Sequence, residues 1–147
     1  DVSKCKSLMV LSCEDNQLTA LNVSRCTALE DLVCSSNDLK SLDVSKCTAL
    51  TRLHCNANKL ASLDVSRCIS LDEMWCHNNQ LVSLDVSKCK NLKNLSCTSN
   101  QLTALNAKNC TALTNLSCEY NKITSLDVTG CSALKRLSSA RIICLQN

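Results

Sequence analysis

The 147-residue sequence has no proline and no phenylalanine, and only one glycine (Gly130), one tryptophan (Trp75) and one tyrosine (Tyr120). Aromatic side chains therefore cannot anchor its interior, and the 45% apolar content has to form a core from leucine, valine and cysteine. No apolar run approaches the eighteen or so residues of a membrane-spanning helix. The opening Asp1-Val2-Ser3-Lys4-Cys5 is not a basic and then apolar leader, so any export signal is expected to have been removed or never to have existed. Charge of one sign is also scarce. A dispersed net charge of +3 gives little reason to expect nucleic acid or an anionic membrane as the main partner. There is no glycine-rich phosphate loop, no H-E-x-x-H motif and no nucleophile-base-orienter set, so the expectation is a non-enzymatic protein with no cofactor. His54, His77 and Glu73 are the nearest approach to a polar catalytic or metal-binding group.

What the sequence does have is a period. Leu8, Leu29, Leu50, Leu71, Leu92, Leu113 and Leu134 stand 21 apart, as do Leu11, Leu32, Leu53, Met74, Leu95, Leu116 and Leu137. In the same frame lie columns beginning at Cys13, Asn16 and Leu18, and one unit reads L-x-x-L-x-C-x-x-N-x-L-x-x-L-D-V-S-x-C-x-x. The alternation in L-x-x-L-x-C predicts a short strand with leucine and cysteine pointing inward. A lone unit cannot bury that stripe, so units must stack, pairing their strands in parallel about 4.8 Å apart into a curved sheet roughly 30 Å across. The asparagine column is read as structural, its amides satisfying loop carbonyls that no strand ladder reaches. The other half of each unit, such as Leu42-Asp43-Val44-Ser45-Lys46-Cys47, is too short for a full helix. It should be extended or form one turn of 3₁₀ helix on the convex side.

The phrases L-x-C-x-x-N-x-L and L-D-V-S-K-C, in units of this length, resemble bacterial leucine-rich repeats of the internalin J type, which carry a cysteine ladder; similar units occur in spirochaete and Bacteroidetes surface proteins. The resemblance covers residues 1 to about 137 and implies an α/β-type solenoid built mostly of short parallel β-strands, a leucine-rich-repeat arc of seven units. Residues 138–147, which lose the cysteine and asparagine of the unit, are expected to be a degenerate last repeat or C-terminal cap, with Ile142, Ile143 and Leu145 folding over the last turn. The sequence departs from the pattern at Cys26, Cys47, Cys68, Cys89, Cys110 and Cys131, where such repeats usually carry asparagine. This chain therefore has two cysteine ladders.

Fourteen cysteines in so short a chain would ordinarily suggest disulfides or metal sites, but thirteen fall in the two ladders. Stacked neighbours have near-parallel Cβ vectors about 4.8 Å apart, whereas a disulfide needs converging bonds and about 3.8 Å. Zinc requires thiolates converging on a tetrahedron, and a column supplies a line. This favours buried free thiols acting as small apolar fillers over either alternative, with the off-register Cys144 as the expected reactive thiol. A basic column at Lys4, Arg25, Lys46, Arg67 and Lys88 is answered by acids three residues earlier, among them Asp43, Asp64 and Asp85, giving a locally neutral convex face.

Three positions per unit flank the inward leucine and cysteine and face out on the concave side, from Val10, Ser12 and Glu14 in the first unit to Arg136, Ser138 and Ala140 in the last. The only tryptophan and both histidines fall among them, in adjacent units. Across the strands, Val33, His54 and Trp75 become lateral neighbours beside an acid-base-acid row of Asp31, Arg52 and Glu73. This is the makeup of an interaction hot spot. Val33, Arg52, His54, Asn56, Glu73, Trp75 and His77 are the candidate partner-binding residues, and Tyr120 could extend the patch. The alternative is that Trp75 only covers neighbouring strand backbone.

The function this supports is a protein-interaction module holding a bacterial or host protein on its concave face, in the manner of a receptor or adhesin. A second reading is a self-associating structural element or homo-oligomer, since the chain begins mid-unit and leaves Leu8 and Leu11 without a recognisable cap. Free thiols suit a reducing compartment, whereas the resemblance implies the bacterial cell envelope, periplasm or surface; the envelope is the expectation.

Overall fold

The computed structural model describes residues 2–139 and the backbone of 143–145. Eleven three-residue strands follow one another: β1 (Val10–Ser12), β2 (Asp31–Val33), β3 (Arg52–His54), β4 (Glu73–Trp75), β5 (Ser83–Asp85), β6 (Asn94–Ser96), β7 (Ala104–Asn106), β8 (Asn115–Ser117), β9 (Ser125–Asp127), β10 (Arg136–Ser138) and β11 (Ile143–Leu145). They form two parallel sheets. One has seven strands in the order β1-β2-β3-β4-β6-β8-β10, and the other has four in the order β11-β9-β7-β5. Every pairing within the seven-stranded sheet joins residues 21 apart, as Leu32 with Leu53 and Leu53 with Met74, so the sequence period is the turn of the solenoid.

The convex segments are extended. No helix of any kind occurs among the described residues, and the later units draw their L-D or L-N pair into the second sheet, where Leu84 pairs with Leu105. Between the sheets lies a core of columns. Leu29, Leu50, Leu71, Leu92 and Leu113 are fully buried, as are Leu32, Leu53 and Met74, and the valine column from Val23 to Val128 is buried throughout. Each such side chain contributes about 1.5–3 kcal/mol of transfer free energy, but only because the next unit closes over it.

The turns are set by repeated devices. In each unit the N–H of the second cysteine donates to the carbonyl three residues back, a valine or, for Cys110, Ala107, and the next leucine N–H donates to that cysteine's carbonyl, as in Cys47 to Val44 (2.9 Å) and Leu50 to Cys47 (3.2 Å). The acidic column caps these turns. Asp43, Asp64 and Asp85 accept the N–H two residues on at 2.8–2.9 Å, which with the serine hydroxyls holds the Asp43 and Asp64 carboxyls below the usual range. Each carboxylate thus closes an Asx turn while the cation three residues on, Lys46, Arg67 or Lys88, acts on it through space, in keeping with a locally neutral face.

The asparagine column behaves as expected. Asn58 donates to the carbonyls of Cys34 (3.0 Å), Cys55 (3.2 Å) and Asn56 (3.3 Å), while its Oδ1 accepts the Leu39 N–H at 3.0 Å. One amide therefore ties two successive turns together. The residue before each asparagine is left-handed at Asp15, Ser36, Ala57, Asn78, Ser99 and Tyr120, with φ of 52–54°. The sequence pattern gives no warning of this column, since none of the six is glycine. Gly130, at φ 78°, adopts a conformation that other residues take only with strain, and a Cβ there would also displace the Asn109 amide, whose Oδ1 would lie 2.2 Å away.

Candidate functional site

All thirteen described cysteines are free thiols, ten of them buried. Desolvation pushes the thiols of Cys34, Cys68 and Cys89 up to about 12 and those of Cys47 and Cys110 up to about 11, so they remain neutral and inert at physiological pH. The second ladder also makes hydrogen bonds. Its Sγ atoms donate to the valine or alanine carbonyl one turn back, at 3.1 Å from Cys131 to Ala107, 3.3 Å from Cys110 to Val86 and 3.6 Å from Cys68 to Val44. A thiol here fills apolar space and satisfies a carbonyl at once. Cys5, at the N-terminal edge, is exposed, and the Cys144 side chain lies outside the described residues, as does Ala140. Among the described residues no group of three or more histidines, cysteines and acids is placed to hold a metal.

The outward residues of β2, β3 and β4 do meet. Register sets Val33 against His54 and His54 against Trp75. The imidazole and indole stack face to face, with centroids 3.9 Å apart and planes within 2°. His54 is therefore buried at 9% exposure, which corrects the expectation that both imidazoles project into solvent: a large flat ring one strand away lies over it. Trp75 itself keeps 39% of its surface exposed, and His77 approaches it at 6.5 Å with a 48° tilt. Covering a neighbouring side chain and presenting an open face are thus both properties of the same indole.

The acid-base-acid row separates into two pairs. Arg52 binds Asp31. Glu73 turns diagonally instead, and its Oε1 lies 2.7 Å from His54 Nε2, fixing the imidazole beneath Trp75. His77 Nδ1 lies 3.3 Å from Ser96 Oγ, and burial, helped by the nearby His54, lowers its pKa so that the neutral ring is favoured. Asn56 accepts a 2.7 Å hydrogen bond from the Ser35 hydroxyl.

On the side of Trp75 away from His54 the outward residues shrink to Ser96 and Ser117. This leaves a shallow depression of about 290 Å³ lined by Glu73, Trp75, Asn94, Leu95, Ser96, Asn115 and Ser117. Sequence reasoning included Glu73 and Trp75 but missed the two asparagines and two serines, whose only signal was the run of small polar residues following a large one. Tyr120 is 78% exposed but does not line the depression.

A parallel strand every 21 residues, the asparagine column and the inward thiols together define a leucine-rich-repeat solenoid with cysteine ladders. The chain is similar to bacterial proteins of that class. It matches a leucine-rich-repeat protein of Leptospira interrogans at 26% identity and a TM-score of 0.77, over 84% of this chain and 34% of that one. It also matches the functional domain of InlJ from Listeria monocytogenes, which includes a cysteine ladder, at 24% identity and a TM-score of 0.50, over 96% and 46%. A plant peptide hormone receptor, RGFR1, in complex with RGF2, shares the fold at 21% identity and a TM-score of 0.69, over 99% and 29%. The chain thus spans less than half the length of each of these structures. No family model and no curated protein matches the chain.

Proposed function

We propose that this chain is a non-enzymatic protein-interaction module of the bacterial cell envelope, which holds a protein partner on its concave sheet around Trp75. The observation that carries this reading is the half-open indole, supported from behind by His54 and Glu73, beside a polar depression on an otherwise small-residue surface. Aromatic side chains held rigid in this way dominate binding energies because little conformational entropy remains to be lost. His54 stacks on the indole and His77 approaches it, and the proposed site extends from them to Val33, Arg52 and Asn56 in the two preceding units. In this reading residues 1–137 are the working solenoid, and residues 138–147 are a degenerate last repeat or C-terminal cap. Support for a partner-binding role comes from the neighbouring receptor, solved in complex with RGF2. Two of the structures named above are from bacteria, which favours the envelope reading, and no helix among the described residues is long and apolar enough to cross a membrane.

The test is capture from bacterial and host surface extracts by the wild-type chain and by Trp75→Ala. The substitution should weaken binding of the captured partner by about 2 kcal/mol, some thirtyfold, with the urea midpoint of unfolding nearly unchanged. Undiminished affinity in the variant would remove Trp75 from the site.

A further inference from the structure

We infer that the depression beside Trp75 takes a guanidinium group, an arginine side chain of the bound partner. The inference rests on the concave face being the binding face and adds the chemistry of what it binds. His54 covers one face of the indole, and the depression lies on the other, toward β6 and β8. A planar group entering it would stack on the free face. The lining includes the Glu73 carboxylate, the Asn94 and Asn115 amides and the Ser96 and Ser117 hydroxyls, and it includes no cation. Arg52 interacts with Glu73 through space, but its ion pair is with Asp31. Glu73 spends Oε1 on His54, and its second oxygen retains acceptor capacity.

The wider face carries the same bias. Two buried carboxylate oxygens at outward positions, Asp31 Oδ1 and Glu119 Oε2, have no hydrogen-bond partner. Buried polar atoms are rarely left so, and what these lack is donors. The outward positions of the concave strands carry four carboxylates, Glu14, Asp31, Glu73 and Glu119, against Arg52 and Arg136, in a chain whose net charge is +3. Negative charge is thus concentrated on the concave side. A guanidinium satisfies every part of this arrangement. It is planar, weakly hydrated and stacks on indole, and its five N–H groups match a carboxylate flanked by amide and hydroxyl oxygens. A phenyl ring would stack equally well but would offer the second Glu73 oxygen no donor, Asn94 Oδ1 already accepting from Asn115 Nδ2 at 2.5 Å, and an ammonium lacks the plane to stack.

Because the chain has a single tryptophan, its one indole N–H resonance reports on this site alone. Titration of the ¹⁵N-labelled chain with acetyl-Gly-Arg-Gly-amide should shift that resonance saturably, at least about fivefold more tightly than the lysine or phenylalanine analogues, with no shift from the glutamate analogue. Glu73→Gln should weaken the arginine peptide about fivefold and leave the phenylalanine peptide unaffected, and Ser117→Lys should abolish the arginine response. The backbone amide spectrum confirms that both variants are folded. A phenylalanine peptide binding as tightly as the arginine one would overturn the guanidinium assignment while keeping Trp75 as a platform. No shift with any peptide would overturn the pocket itself, whereas the concave binding face stands or falls separately on capture by Trp75→Ala.

Discussion

Along β3 and β4 the inward residues Leu53 and Met74 are fully buried and take the same place in the stack as Leu32 and Leu95, so the change from leucine to methionine leaves the register intact. The outward residues beside them behave differently. His54 and Trp75 interact with each other through ring stacking that recurs nowhere else among the described strands, and the next two outward residues in their row are both serine. Inward positions are governed by the stack, which accepts any apolar side chain of about the right volume. Outward positions are free of that requirement, so individuality there costs the fold little and is where recognition can be written.

The comparison breaks most visibly at alkaline pH, where the interior should fail as a unit. Folded-state pKa values of the buried thiols lie above the ordinary value of 9.0, so the unfolded chain loses protons first and stability falls as pH rises past 9. At pH 10 the thiols raised to about 12, Cys34, Cys68 and Cys89, should each contribute a loss of about 1 kcal/mol, and Cys55 and Cys76, raised well above the ordinary value, should add to it, a total comparable to the stability of a whole domain. Circular dichroism should show cooperative unfolding between about pH 9 and 11. A far-ultraviolet signal unchanged at pH 11 would contradict neutral buried thiols.

A single interior substitution should be damaging too. Asn58→Ala removes four hydrogen bonds and strands the N–H of Leu39, while the carbonyls of Cys34 and Cys55 keep their bonds from Asn37 and Asn79, at a cost of about 2 kcal/mol in urea unfolding. The left-handed column offers a gain instead. Ala57→Gly relieves a φ of 52° and should raise stability by about 1 kcal/mol, read from the same urea midpoint. On the outward face, Asn56→Ser should change stability by less than about 0.5 kcal/mol, and a much larger loss would show that this face is held as tightly as the core.

The solenoid was legible because its period is fixed by geometry: residues 21 apart stack, and so every column of leucine, cysteine and asparagine states where it lies. The absence of converging cysteines was readable for the same reason. Less legible were features with several local solutions. The aspartates at Asp43, Asp64 and Asp85 could have paired with lysine or arginine or capped their own turn, and side-chain length decided for the turn. The left-handed column was hidden because serine, alanine and tyrosine occupy it against their preference, held there by the asparagine bonds that follow.

The candidate site divides in the same way. Sequence alone placed Val33, His54 and Trp75 in one outward row, since register requires it, and it placed Asp31, Arg52 and Glu73 beside them. Rotamers, which depend on neighbours in three dimensions, decided that the indole would lie flat on the imidazole, that Glu73 would turn from Arg52 to His54, and that a depression would open where Ser96 and Ser117 follow a tryptophan. A repeating backbone determines which residues are neighbours; only packed side chains determine what those neighbours do to one another.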